Sequence, residues 1–368
     1  MTNSQDVVIV GGGAAGAACA RELAGAGRSV LVLEPGDRPG QAWRASAGLL
    51  APQIDAWEDP RLYELGIAGR EYYQDQVGAL KDETGIDCGL FDGGILRLAR
   101  GAEEATRLRD SVAWQRQHGH RTEWMDPAEV ESEYPWIGLS DGALFAPQDG
   151  SINPIRLVEA FRASAAKRGA TFERDAAVGI LVEGGRVVGV RGARATYSCG
   201  AVVLAAGAWT GRLEGLPRPV SVEPVKGQMI VKKWPAGVPR GIYYAGNGYV
   251  LERDGEAICG ATSEHVGFSA EVTAEGERNV VRWTDSVVPA LASLKVERRW
   301  AGLRPGTPDG LPIVGAEPNA PGLWYATGAG RNGILLAGIT AVSICHLMAG
   351  EATFEGIEAL RPGRFWSW

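Results

Sequence analysis

Short, uninterrupted apolar runs, each closed by glycine or by a charge, punctuate the chain at "VVIV" (7–10), "VLVL" (30–33), "VVLAA" (202–206) and "LWYAT" (323–327). Strands covered on both faces of a parallel sheet read this way, whereas half-exposed strands alternate. Between the first two runs, the alanine-rich residues 14–26 predict a helix that Gly27 stops. The segments 87–100, 226–234 and 243–262 carry apolar stretches separated by turn residues and predict further strands. Helices are expected over 103–119 and 152–169, the second with Asn153 as N-cap and Pro154 in its first turn. The long apolar run 333–350 contains Thr340, Ser343 and His346 and is short for a membrane span. It predicts a buried helix beginning near Asn332 and Gly333.

Composition narrows the class. A chain of 368 residues exceeds one ordinary core and suggests two domains. A net charge of −7 argues against a nucleic-acid partner. Cys19, Cys88, Cys199, Cys259 and Cys345 are dispersed, without disulfide-framework or zinc spacing. His118, His120, His265 and His346 have no nucleophile or metal partner at meaningful spacing, so all four are expected to be structural and no metal site is expected. The first strand starts too early to leave room for a signal peptide, and no membrane span is expected, so the protein is expected to be cytoplasmic.

The first turn carries chemistry. Gly11, Gly13 and Gly16 form G-x-G-x-x-G between a strand and a helix, and Glu34 ends the next strand. Gly11 permits the tight turn, Gly13 admits a pyrophosphate close to backbone, and Gly16 lets helix pack on strand. The helix N-terminus favours the phosphate, and a carboxylate such as Glu34 accepts from ribose hydroxyls. This predicts a dinucleotide site without separating FAD from NAD. Ala45 to Gly48 is a small-residue stretch suited to lying against a planar ligand, and the strand running into Ala206 to Trp209 indicates a nucleotide-binding sheet assembled from distant pieces. Arg304 stands between Leu303 and Pro305, where a surface turn and a pocketed guanidinium are both open readings.

Taken together, "VVIVGGGAAG", "VVLAAGAWTG", "WAGLRPGTPDGLPIVG" and "GRNGILLA" resemble the FAD-dependent amine oxidases. The similarity is greatest to the glycine oxidase branch of the D-amino acid oxidase family, associated with thiamine biosynthesis, and it runs through essentially the whole chain. The resemblance implies an α/β, Rossmann-like FAD-binding domain built from roughly 1–80, 145–220 and 300–368. A substrate domain of antiparallel β structure, from 81–144 and 221–299, is interleaved with it. It implies non-covalent FAD held by Gly11, Gly13, Ala14, Ala15, Gly16, Glu34, Pro35, Ala42, Trp43, Ala47, Gly48, Leu49, Val178, Gly207 and Trp209. The turn Gly330, Arg331, Asn332, Gly333, Ile334 and Leu335 completes that set.

For the substrate, the resemblance implies that Arg304 pairs with a carboxylate in bidentate fashion. Tyr249 assists it, with Tyr243 and Tyr244 as substitutes if the register is shifted, and Arg331 lies beside the substrate space. The implied reaction is oxidation of an amine alpha to a carboxylate by hydride transfer to FAD, with no acid or base residue required. The imine then hydrolyses to an oxo acid and ammonia, and dioxygen yields hydrogen peroxide. A helix starting near Gly333 is expected to stabilise the reduced cofactor's charge. A dehydrogenase of the same fold and a non-catalytic flavin-binding scaffold are the alternatives, and a homo-oligomer is expected. Ala329, Gly330, Gly338 and Leu49 depart from the glycine oxidase pattern, and the small residues among them suggest a roomier pocket than glycine needs.

Overall fold

The computed structural model describes residues 4–55, 60–246 and 248–365. Its first sheet is organised by the apolar runs. Five strands lie side by side and parallel: Thr171–Glu173, Val30–Leu33, Gln5–Val10, Thr196–Leu204 and Leu323–Thr327. Along Gln5–Val10, Val7 and Ile9 enter one core, which contains Ala17, Leu23, Phe161 and Ile344. Val8 and Val10 enter the opposite core with Ile180 and Val190. The period-2 geometry of a strand therefore buries both faces and accounts for the lack of alternation in the sequence. Helices Ala14–Gly25, Pro154–Lys167 and Ala337–Ala349 pack together on the first face. Asn153 caps the second of these, its side chain accepting from the N–H groups of Ile155 and Arg156. Strands Ala177–Glu183, Arg186–Gly192 and Ile313–Ala316 extend the sheet in antiparallel fashion.

The second sheet has nine strands, in the order Gly40–Gln41, Arg298–Gly306, Glu223–Lys233, Glu256–Gly260, Gly248–Arg253, Ile242–Ala245, Ile95–Leu98, Ala143–Ala146, Glu123–Met125. It is mainly antiparallel, but Ile242–Ala245 runs parallel to Ile95–Leu98 and Gly40–Gln41 parallel to Arg298–Gly306. The Rossmann-like fold with an interleaved second sheet is therefore present. The domain boundaries expected at 145 and 300 cut through strands Ala143–Ala146 and Arg298–Gly306, both of which belong to this second sheet.

Two elements differ from the sequence reading. Segment 87–100 contributes one strand, Ile95–Leu98, because Gly94 at φ +84° turns the chain just before it. The C-terminal helix starts at Ala337, after a single 3-10 turn, Gly330–Asn332. No helix among the described residues is long and apolar enough to cross a membrane.

Candidate active site

The parallel strands end together at Val10, Leu33, Leu204 and Thr327, and a cavity of about 1020 Å3 opens beyond them. Ligands of open α/β sheets bind in this position. Gly11 adopts φ +100°, and a Cβ there would lie 2.5 Å from the Ala205 carbonyl oxygen. A Cβ at Gly16 would lie 1.8 Å from the Gly11 carbonyl oxygen, so Gly16 works behind the cavity wall as a packing glycine. Gly13 faces the Trp43 ring and precedes a helix with no side-chain cap, which leaves its first N–H groups toward the cavity. Glu34 closes the turn: Oε2 accepts from the Gly12 N–H at 2.7 Å and Oε1 from Gln41 Nε2 at 3.0 Å. A carboxylate has about four acceptor positions, so this still leaves capacity for ribose hydroxyls.

Farther along, Ala14, Ala15, Pro35, Ala42, Trp43, Ala47, Gly48, Leu49, Gly207 and Trp209 all line the cavity, as do Gly330 to Ile334. Gly48 sits at φ +74°, where a Cβ would fall 1.9 Å from the Ile152 carbonyl oxygen. Glycine is therefore required here by the close packing of this turn against Ile152 and Pro154. Val178 lies off the wall, its carbonyl taken by the Glu214 N–H at 3.0 Å, and Ala176 and Ala177 line the cavity instead. Leu335 is buried beneath the wall, where its carbonyl is packed against Gly69, and Ile334 and Leu336 face the cavity. A dinucleotide bearing a planar ring system fits these residues, from Glu34 and Arg38 at one end to the small-residue stretch at the other.

The reacting end is built mostly on the second sheet. Arg304 pairs with Val225 across adjacent strands, and its guanidinium lies over Gly227, where a Cβ would be 2.4 Å from Nη2. Nη1 donates to the Thr262 carbonyl at 3.0 Å, and no carboxylate pairs with Arg304 among the described residues. Burial lowers its pKa from the ordinary arginine value. Tyr249 stands beside it, opposite Gly260, where a Cβ would be 2.7 Å from the hydroxyl. Burial pushes the Tyr249 hydroxyl up to about 12, with Arg304 and Arg331 pulling the other way, so it remains a neutral donor. Tyr244 packs against Tyr249 with ring centroids 5.2 Å apart.

Arg331 also reaches this end, but it is engaged: Nη2 donates to Asp55 Oδ1 at 2.9 Å, and this carboxylate raises the arginine's pKa. Asp55 Oδ2 accepts from the Tyr244 hydroxyl at 3.3 Å. Asp55 is the functional candidate that sequence reading missed. Its signal was a lone carboxylate closing the apolar stretch "LLAPQI". Tyr243, the other substitute for Tyr249, faces away into a different core. Gly338 does not enlarge the pocket, because the Tyr72 ring occupies the space its side chain would take. Ala329 and Gly330 do line the cavity.

The helix expected to start at Gly333 cannot deliver its dipole there, since regular helix begins four residues later. None of the histidines lies on the cavity wall, and the described residues contain no metal-binding group of His, Cys, Asp or Glu.

Known proteins match this arrangement along the whole chain. The profile described as DAO, FAD dependent oxidoreductase, covers residues 6–347. Glycine oxidase of Geobacillus kaustophilus is 33% identical over 360 residues, spanning 96% of this chain and 95% of its own. The crystal structure of glycine oxidase from the same species superposes with a TM-score of 0.94 at 31% identity, covering 100% of both chains. Iminodiacetate oxidase from a Chelativorans species superposes with a TM-score of 0.89 at 25% identity, covering 97% of this chain and 98% of its own. With the strand-end cavity and its glycine turn, this similarity establishes the family: the chain belongs to the DAO family of FAD-dependent oxidoreductases.

Proposed function

We propose that the protein is a flavin-dependent amino acid oxidase, acting on glycine or on a small D- or N-substituted amino acid. The products are the oxo acid, ammonia or an amine, and hydrogen peroxide. One observation carries the reading: Arg304 is held over Gly227 at the end of the cavity, with no carboxylate among the described residues paired to it. A desolvated guanidinium without an anion is costly, and a substrate carboxylate supplies what is missing through two parallel hydrogen bonds. Tyr249 adds a neutral hydroxyl to the same wall.

FAD, when bound, supplies the two-electron acceptor for the carbon that bears the amine. This chain's residues supply position. Arg304 and Tyr249 anchor the carboxylate, which fixes the position of the adjacent C–H and the face presented. Small residues at Ala329 and Gly330 leave room for a substituent larger than the hydrogen of glycine. The absence of cysteine and histidine from the described cavity wall favours non-covalent FAD.

Oxygen uptake and peroxide yield, measured on the purified yellow protein with glycine, sarcosine and a panel of D-amino acids, test the proposal. Stoichiometric peroxide with at least one of them is expected. Dye reduction with negligible oxygen uptake would make the protein a dehydrogenase instead.

A further inference from the structure

Asp55 ends the short turn Pro52–Asp55, and its carboxylate enters the reacting end of the cavity with only 9% of the side chain exposed. Arg331 occupies one of its oxygens and Tyr244 the other, so among the described residues about two of its four acceptor positions have no donor. Its neighbours in electrostatic reach are Arg331, Tyr244, Tyr249 and Arg304, with Asp149 behind the turn, while Arg97 donates to the adjacent Ile54 carbonyl. Across the cavity, Arg304 uses one of its five N–H groups on Thr262. The space thus has a cation with donors to spare on one wall and an anion with lone pairs to spare on the other. An amino acid at neutral pH is a zwitterion whose two charges are separated by one carbon.

We infer that Asp55 is the residue that recognises the substrate's ammonium group, while Arg304 takes its carboxylate and Arg331 serves to hold Asp55. The inference rests on the amino acid reading above. It also changes the place of Arg331, from a residue beside the substrate space to the support of Asp55. An anion beside an ammonium raises the ammonium pKa. Asp55 therefore tightens binding of the zwitterion while holding back loss of its proton. That proton must pass from nitrogen to solvent water before oxidation, since only the neutral amine has a lone pair to release. Binding and turnover are thus pulled in opposite directions by one carboxylate.

The test uses the flavin-loaded protein and two ligands of nearly the same shape, 2-aminoisobutyrate and isobutyrate. The first has no alpha hydrogen and cannot be oxidised; the second lacks the amine. Titration calorimetry should show wild type preferring 2-aminoisobutyrate, and Asp55→Asn should reduce that preference by about 10- to 150-fold, the range for a charge-assisted hydrogen bond. Asp55→Glu should restore part of it. With an oxidisable amino acid, Asp55→Asn should raise KM while moving the rise of kcat with pH to lower pH. Equal weakening of both ligands, or an unmoved kcat profile, would overturn the inference and leave Asp55 a structural partner of Arg331. The preference of wild type for 2-aminoisobutyrate stands as a test even if the variant loses its flavin, because a wild type without it contradicts the inference. If no amino acid reduces the wild-type flavin, it is the proposed function that fails.

Discussion

Gly227 allows Arg304 to lie flat against its strand, since any side chain there would collide with the guanidinium. The site therefore depends on the pair, and in the proposed function the arginine is the part that binds. Arg304→Ala should retain FAD but lose about 2–5 kcal/mol of affinity for carboxylate ligands, the range for truncating one partner of a buried charged pair. Titration of wild type and variant with isobutyrate measures this, and an unchanged affinity would remove Arg304 from the site. Arg304 and Tyr249 were legible in the sequence because "GLRPGT" and "NGYVLER" carry them in distinctive surroundings. Asp55 was not, because a single acid at the end of an apolar stretch looks like any helix end. Val178 and Leu335 lie off the wall for a related reason. Sequence places a residue on an element but leaves the direction of one peptide or side chain to packing.

The turn that carries Asp55 has four residues and cannot hold itself in place. Asp149 fixes it: Oδ2 accepts from the N–H groups of Gln53 and Ile54 at 3.0 and 3.2 Å, and Oδ1 accepts from Arg70 at 2.7 Å. Gln53 and Gln115, both fully buried, complete the network. Asp149→Ala leaves Arg70 buried without its anion and should cost about 3–5 kcal/mol, measurable by denaturant unfolding. A second tie joins helix Pro60–Thr84 to helix Pro154–Lys167. There Arg168, donating through Nε and Nη2, and Ser164 hold the Glu83 carboxyl below its usual range.

Because that pKa is depressed on folding, the stabilisation is complete above the unfolded value of about 4.3 and is lost as pH falls through the folded one. Melting curves from pH 6 to pH 3 should show wild type losing its advantage over Glu83→Gln as the pH drops. A constant difference would contradict the tie. At this scale four of the five parallel strands, all but Thr171–Glu173, and the helices Ala14–Gly25 and Pro154–Lys167 were legible, because apolar runs, glycines and the Asn153–Pro154 start mark them. The start of the last helix was not, since the glycine-rich approach at 328–333 continues into an apolar stretch with no capping residue.

Across the molecule, two sheets share one cavity, and neither closes it alone. Strand Arg298–Gly306 brings Arg304 from the second sheet toward the ends of the first, while segment 40–55 crosses between them. The interleaving was visible in the sequence as distant motifs that need one another. The exact division was not, because a strand's sheet partners are long-range contacts that its own residues do not encode. A ligand gripped by both sheets should stabilise the whole. Removing FAD should lower the melting temperature, and restoring it at 100 times its dissociation constant should recover about 2.7 kcal/mol. A melting temperature indifferent to FAD would show that the cavity does not hold it. The central claim, that this cavity oxidises an amine held by its carboxylate, is tested most directly by anaerobic titration with the same amino acid panel while following the visible flavin band. Bleaching by at least one of them, abolished by Arg304→Ala at matched concentration, is the predicted result. A band that no amino acid bleaches, or bleaching that persists unchanged in the variant, would contradict it.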